Sequence, residues 1–273
     1  MNPLFEVFDG GDFILSSYRD VEESLTQVQI YFEEASRIEA AKKALREAME
    51  IVGARAELEV AEIPDEDWRL AYRRHFTTDR IGSRLVIRPP WEPMPTGEVV
   101  VTLDPGMAFG TGKHETTRAC LEYVEHLAPR AGEAPLSFLD MGIGSGILSI
   151  AASLLGYGPV SGFDVDPEAV AAATENAALN GAKVDYFRYG LGAKVRRELP
   201  KAELVVANIL GPLLIRYADE IAPTATHHLV ISGILTEIYE EVLAAYVARG
   251  FDEVSRRTLG EWTTGLLVRR DKN

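Results

Sequence analysis

Two carboxylates, an amide and a pair of hydroxyls stand in this chain where chemistry can be done. Asp140 opens the run Asp140-Met141-Gly142-Ile143-Gly144-Ser145-Gly146, in which an apolar stretch meets an acid, then three alternate glycines, then a helical pattern. Glycine tolerates positive φ and lets backbone approach a ligand closely, and the first turn of a helix presents unpaired N–H groups. Such a strand-to-helix turn is a ligand cradle. Asp164 closes the next apolar run, Val160 to Asp164, and Asn208 closes another, Leu204 to Asn208. Thr116 and Thr117 follow a loop holding Gly106, Phe109, Gly110 and Gly112.

The glycine spacing narrows the ligand. A dinucleotide fingerprint reads G-x-G-x-x-G, whereas here Ile147 occupies the third glycine's place and the glycines run G-x-G-x-G. A carboxylate two residues before the first glycine repels phosphate and attracts ammonium or hydroxyl groups. S-adenosylmethionine (SAM) carries an ammonium and ribose hydroxyls and no phosphate. Asp164, at the end of the following strand, can accept from both ribose hydroxyls. Its rival Asp166 precedes Pro167 and reads as a helix cap. The glycines and rings of residues 104–118 read as a ligand-facing loop, with Thr116 or Thr117 capping the next helix.

These residues need a scaffold, and the pattern supplies one. From Ser137 onward apolar runs alternate with helical periodicity, the signature of a parallel sheet covered on both faces, closed by adjacent strands Phe251 to Thr258 and Trp262 to Arg269. Ligands of such sheets bind beyond the carboxyl ends of the strands, where Asp140, Asp164 and Asn208 sit. Residues 1–62 read as a small α+β module, with strands at Phe13 to Ser17, around Val28 and Ile30, and over 56–60. A helix carries Ile38, Ala41, Leu45 and Met49 between the last two. Residues 63–80 form a connecting helix and linker, with His75 a packed histidine rather than a ligand. Residues 81–273 form the main domain, entered by strands at Arg84 to Arg88 and Glu98 to Leu103.

Composition excludes several classes. The net charge of −14 opposes sequence-independent binding to duplex nucleic acid, and favours a basic partner protein. The pairs Arg73-Arg74, Arg196-Arg197 and Arg256-Arg257 read as solvated faces. No membrane span or secretory signal is expected, and a single cysteine, Cys120, suits the cytoplasm.

The glycine turn and both aspartates resemble the class I SAM-dependent methyltransferases. Three further segments narrow the likeness: Leu103-Asp104-Pro105-Gly106-Met107-Ala108-Phe109-Gly110-Thr111-Gly112, Ala207-Asn208-Ile209-Leu210 and Ser232-Gly233-Ile234-Leu235. Together they resemble the bacterial ribosomal-protein methyltransferase family (PrmA), from about Asp65 to the C-terminus. The resemblance implies a Rossmann-like α/β fold, a doubly wound, mostly parallel sheet of seven strands, preceded by a substrate-binding domain. It implies SAM contacts at Phe109, Thr117, Asp140, Gly142, Gly144, Gly146, Asp164 and Asn208, with Thr116 and Asn208 beside the accepting amine. It also implies a substrate among large-subunit ribosomal proteins, methylated on lysine side chains or the terminal α-amine. Glu115 stands where the family often has proline, and residues 1 to about 60 carry no match to the pattern.

Methyl transfer to an amine requires a free lone pair. Deprotonating a lysine at neutral pH costs about 4.6 kcal/mol, against roughly 1 kcal/mol for an α-amine. Asn208 suits this step, because a neutral carbonyl orients an amine N–H without favouring the ammonium as a carboxylate does. Methyltransferases of planar nitrogens commonly follow this asparagine with prolines and an aromatic ring; here Ile209, Leu210 and Gly211 follow instead, which favours an aliphatic amine. Methylation of another protein's amine or a small molecule, and a non-catalytic SAM-binding module, stand as the alternatives.

Overall fold

A computed structural model of the chain describes residues 14–20, 25–31, 38, 39, 41–43, 46, 60, 77–103, 115–193 and 198–270. The chain separates into two compact units, Met1–Trp68 and Arg69–Asn273. In the first, β1 (Ile14–Asp20) and β2 (Leu25–Tyr31) pair antiparallel, Ile14 opposite Tyr31. Residues 38, 39, 41–43 and 46 are helical, in keeping with the predicted periodicity. Of the expected strand over 56–60 only Val60 is described, exposed and outside any strand; the connecting helix with His75, and the Arg73-Arg74 and Arg196-Arg197 pairs, lie outside the described residues.

The second unit is built on a seven-stranded sheet. Its strands are β6 (Phe138–Met141), β7 (Val160–Asp164), β8 (Asp185–Arg188), β9 (Ala202–Asn208), β10 (Ala225–Leu235), β11 (Phe251–Leu259) and β12 (Trp262–Arg269), in the order β11-β12-β10-β9-β6-β7-β8. All neighbours are parallel except those of β12, which runs antiparallel to both β10 and β11. The final two strands are the expected edge hairpin. From β6 the chain winds outward through β7 and β8, then returns to β9 and β10 on the other side, so the order reverses between β6 and β9. That reversal opens a crevice at the carboxyl ends.

Successive strand residues feed two different cores, as the two-residue period of a strand requires. Phe138, Leu204, Val206, Val230 and Leu266 pack on one face; their neighbours Leu139, Val205, Ala207, Leu229, Ile231 and Leu267 pack on the other. The first face is covered by α1 (Glu115–Leu127) and α2 (Ile147–Leu154), the second by α4 (Gly211–Arg216), α5 (Ala218–Ile221) and α6 (Tyr239–Val247). Helix α3 (Pro167–Leu179) crosses from β7 to β8, its alanines Ala173 and Ala177 buried. Both faces are therefore dry, which is why these strands read as nearly continuous apolar runs.

A three-stranded sheet precedes α1: β3 (Asp79–Ile81), β4 (Leu85–Arg88) and β5 (Val99–Thr102), with β3 antiparallel and β5 parallel to β4. It is fastened to α1 by buried Glu125, which accepts from Ser83 Oγ at 3.0 Å, while Arg84 Nη2 donates to the Glu125 carbonyl at 2.8 Å. Arg118 adds an ion pair to Asp79. The helix that carries Thr116 and Thr117 is thus held at both ends of its length.

Candidate active site

The glycine turn is shaped by strand β7. Gly142 N and Ile143 N both donate to Phe163 O, at 2.9 and 3.2 Å, and Gly146 N closes the turn onto Ile143 O at 2.8 Å. Gly142 and Gly146 have φ of 75° and 79°, where a side chain is strained. Space is also lacking: a Cβ on Gly142 would lie 2.6 Å from Ile209 Cγ2, and one on Gly146 would lie 2.6 Å from Tyr186 Oη. Glycine here admits close backbone contacts, as the sequence spacing predicts.

Asp140 is fully buried beside the start of α2. One carboxylate oxygen accepts from Ser149 N at 3.2 Å, while Oδ1 is buried with no hydrogen-bond partner among the described residues. Burial pushes its carboxyl up to about 7, offset in part by the bonds to Ser149. An unmet buried acceptor at the base of a cradle calls for a cationic or donating group. SAM offers one in its ammonium.

Asp164 is half-buried at the end of β7. Its Oδ2 accepts from Gly144 N at 3.1 Å and its Oδ1 from Asp166 N at 3.1 Å, which fixes the carboxylate above the glycine turn with further lone pairs to spare. Asp166 caps α3, its Oδ1 accepting from Glu168 N at 2.8 Å, as expected from Pro167. Beyond Asp164 lies an open depression of about 460 Å³ lined by Val165, Arg188, Tyr189, Gly190, Leu191, Gly192 and Ala193. Val165 is exposed there and offers an apolar surface.

On the other side of the reversal, Asn208 ends β9, half-buried and in register with Ser232 of β10. Ser232 is buried; its hydroxyl donates to Thr116 O at 3.4 Å and shares a hydrogen with Thr264 Oγ1 at 2.6 Å. One residue therefore joins the strand beside Asn208 to the first turn of α1. Thr116 and Thr117 are both buried inside that first turn, which begins at Glu115. They do not cap it, correcting the capping expectation: α1 starts earlier than the apolar face beginning at Cys120 suggests. Cys120 is fully buried near Ser232 and Asp140, and burial pushes its thiol up to about 12. That thiol is closed off from solvent.

Gly233 completes this side. A Cβ there, at φ 77°, would sit 2.4 Å from Ile209 O, so β10 can approach the backbone after Asn208 only with glycine at this position. The structure thus brings Asp140, Gly142, Gly144, Gly146 and Asp164 to one half of the crevice, and Asn208, Thr116 and Thr117 to the other. Phe109 lies outside the described residues. Sequence reasoning missed Ser232 as the link, although it had marked the segment, and missed Glu220, whose carboxylate accepts from Tyr189 Oη and from Gly192 N at 2.8 Å. No short-range pattern signals that bond, because its partners are distant in the chain. No cluster of metal-ligating side chains occurs among the described residues.

The family model for ribosomal protein L11 methyltransferase (PrmA) matches residues 10–270. The match reaches further toward the N-terminus than the segments quoted above. A ribosomal protein L11 methyltransferase of Geobacter sulfurreducens is 46% identical over 205 residues, covering 74% of this chain and 66% of that protein. One from Desulfosudis oleivorans is 39% identical over 265 residues, covering 93% and 81%. Among solved structures, the ribosomal protein L11 methylase of Lactobacillus delbrueckii subsp. bulgaricus superposes with a TM-score of 0.62 at 30% identity, over 72% of this chain and 100% of that one. Matches to several of the curated relatives span about two thirds of their length.

Proposed function

Because the chain belongs to the ribosomal protein L11 methyltransferase (PrmA) family, we propose that it transfers methyl groups from SAM to amines of a large-subunit ribosomal protein. The observation that carries the reading is the shared crevice: a cradle with a buried, unmet carboxylate oxygen on one side, and a neutral amide on the other. SAM supplies an electrophilic methyl group on a sulfonium. The chain's residues do the rest. Asp140 and the turn through Gly142, Gly144 and Gly146 hold the amino-acid end; Asp164 accepts from the ribose hydroxyls; the depression past Val165 receives the flat ring system.

Asn208 aims the acceptor. Its side-chain carbonyl accepts an amine N–H and leaves the lone pair directed at the methyl, a gain of positioning rather than of proton transfer. Thr116, whose carbonyl accepts from Ser232, and its neighbour Thr117 frame the acceptor side from α1, with Thr117 reaching the cofactor. No residue has to act as a base, provided the amine arrives neutral; an α-amine does so more readily than a lysine.

The substrate is a basic protein, in keeping with a net charge of −14, and the first unit selects it. Residues 1–62 form the recognition part of that unit and 63–80 the connection, whose last residues Asp79 and Arg80 already belong to β3; 81–273 form the transferase domain. Arg256 and Arg257, read from the sequence as a solvated face, are exposed and paired with Glu253, Glu240 and Glu122. No helix among the described residues is long and apolar enough to cross a membrane. A ribosomal-protein substrate is what places the activity in the cytoplasm. Labelled SAM incubated with the chain and purified large-subunit proteins tests the reading. Label in one protein, at lysine or the α-amine, is the expected result; label in none refutes the substrate assignment.

A further inference from the structure

We propose that Glu220 is a positioning residue for the cofactor: it holds the wall of the adenosine end from the segment that follows the acceptor-aligning asparagine. The inference rests on the reading that the crevice takes SAM.

The wall is the stretch Tyr189 to Ala193, which has no regular secondary structure and lines the depression beyond Asp164. Something else must fix its shape. Tyr189 N donates to Asp164 O at 2.9 Å, and its buried ring stands edge-on to Phe163, 5.4 Å between centroids. Further fixings come from α5 and its N-terminal flank. The Glu220 carboxylate accepts from the Tyr189 hydroxyl with one oxygen and from Gly192 N, at 2.8 Å, with the other. Gly192 itself, at φ 77°, lies so close to Tyr217 that a Cβ would be 2.5 Å from Cε1 of that ring.

Two consequences follow from this placement. First, the carboxylate bridges both ends of the wall, so deleting it removes one tie at Gly192 and one at Tyr189 together. Second, α4 and α5 are the chain's continuation of Asn208, Ile209 and Leu210, so one segment carries the residue that aims the amine and the residue that shapes the ring pocket. Glu220 touches neither substrate nor the reacting atoms. Its effect passes through Tyr189 and Gly192.

A brace that shapes the pocket and a staple that only stabilises the fold give different readouts. The full chain and its variants are titrated calorimetrically with SAM and with 5′-methylthioadenosine, which keeps the adenosine and lacks the amino-acid arm. For E220A the dissociation constants of both ligands rise by about tenfold, while kcat at saturating SAM stays within about twofold. E220Q restores affinity to within about threefold, because its amide oxygen accepts from Gly192 N and its NH2 donates to the phenol oxygen. Y189F, which removes one of the two donors, gives a smaller loss in the same direction and serves if E220A does not fold. Unchanged affinities with a lowered melting temperature would overturn the proposal, as would weakened SAM binding with methylthioadenosine unaffected. A wild-type chain that binds neither ligand would instead refute the SAM reading itself.

Discussion

The two halves of the crevice are built from opposite materials. Around β6, β7 and β8 the site is backbone and charge: three positive-φ glycines, a buried carboxylate with a free oxygen, and Asp164 tied to two backbone N–H groups. Around β9, β10, β12 and α1 it is neutral: the hydroxyls of Ser232 and Thr264, the Thr116 carbonyl, the Cys120 thiol and the amide of Asn208. The charged half suits a cationic ligand bearing hydroxyls. The neutral half suits an acceptor that must stay unprotonated, since a carboxylate there would favour the unreactive ammonium. The division separates holding from aiming, and variants on each side should fail differently.

The sharpest break should come at Asn208. Asn208→Ala removes the group that aims the amine, and a small misplacement of reacting atoms costs about 10²-fold in rate. Turnover should fall by that order while the SAM dissociation constant changes by less than about fivefold. Single-turnover kinetics with calorimetry checks both. Equal losses in affinity and rate would place Asn208 with the holding half.

Two glycines test where the halves touch. A Cβ on Gly146 meets Tyr186 and Ala173, both on the cofactor side, whereas a Cβ on Gly142 meets Ile209, next to Asn208. Each alanine at positive φ should cost about 1–3 kcal/mol of stability. Gly146→Ala should weaken SAM binding and spare turnover at saturation, while Gly142→Ala should damage both. Matching kinetic profiles for the two variants would show that the halves do not act separately.

Much of this division is legible in the chain. The doubly wound sheet could be read because β6, β7, β9 and β10 are buried on both faces and flanked by helical periodicity, and Asp164 was separable from Asp166 because proline marks a helix start. Short elements escaped: β3 has three residues and α5 four, and α4 opens at Gly211-Pro212, which reads as a breaker although proline belongs in a first turn. The burial of Asp140 and the clamp at Glu220 depend on which strands become neighbours, and no local pattern carries that.

The charged half should also report on pH. Because burial raises the Asp140 carboxyl to about 7 from the ordinary value near 4, the folded chain binds a proton there that the unfolded chain has lost. The contribution of this group to stability is therefore full below about pH 4 and declines as pH rises toward 7. Asp140→Asn should remove that decline: the stability difference between variant and wild type, measured by urea melts, should grow from pH 4.5 to 7.5. SAM affinity should move the opposite way in wild type, rising with pH as the carboxylate forms, and become flatter in the variant. A pH-independent difference would mean that Asp140 titrates as an ordinary carboxylate.

The neutral half gives the smallest effect. In Ser232→Ala, Thr264 Oγ1 loses its buried partner and the α1 carbonyl of Thr116 loses a donor, at a cost of about 1–2 kcal/mol. SAM affinity should hold, because no part of the glycine turn or Asp164 touches this hydroxyl. Turnover should drop by only a few-fold, since Asn208 keeps its strand register and α1 keeps its attachments at Glu125 and Arg118. Cys120 supplies an independent gauge of the same cluster. Its buried thiol should resist iodoacetamide in the wild type and react faster in Ser232→Ala, if that hydroxyl is what seals the first turn of α1 against β10. Unchanged labelling together with reduced turnover would move the role of Ser232 from packing α1 to orienting Asn208 directly.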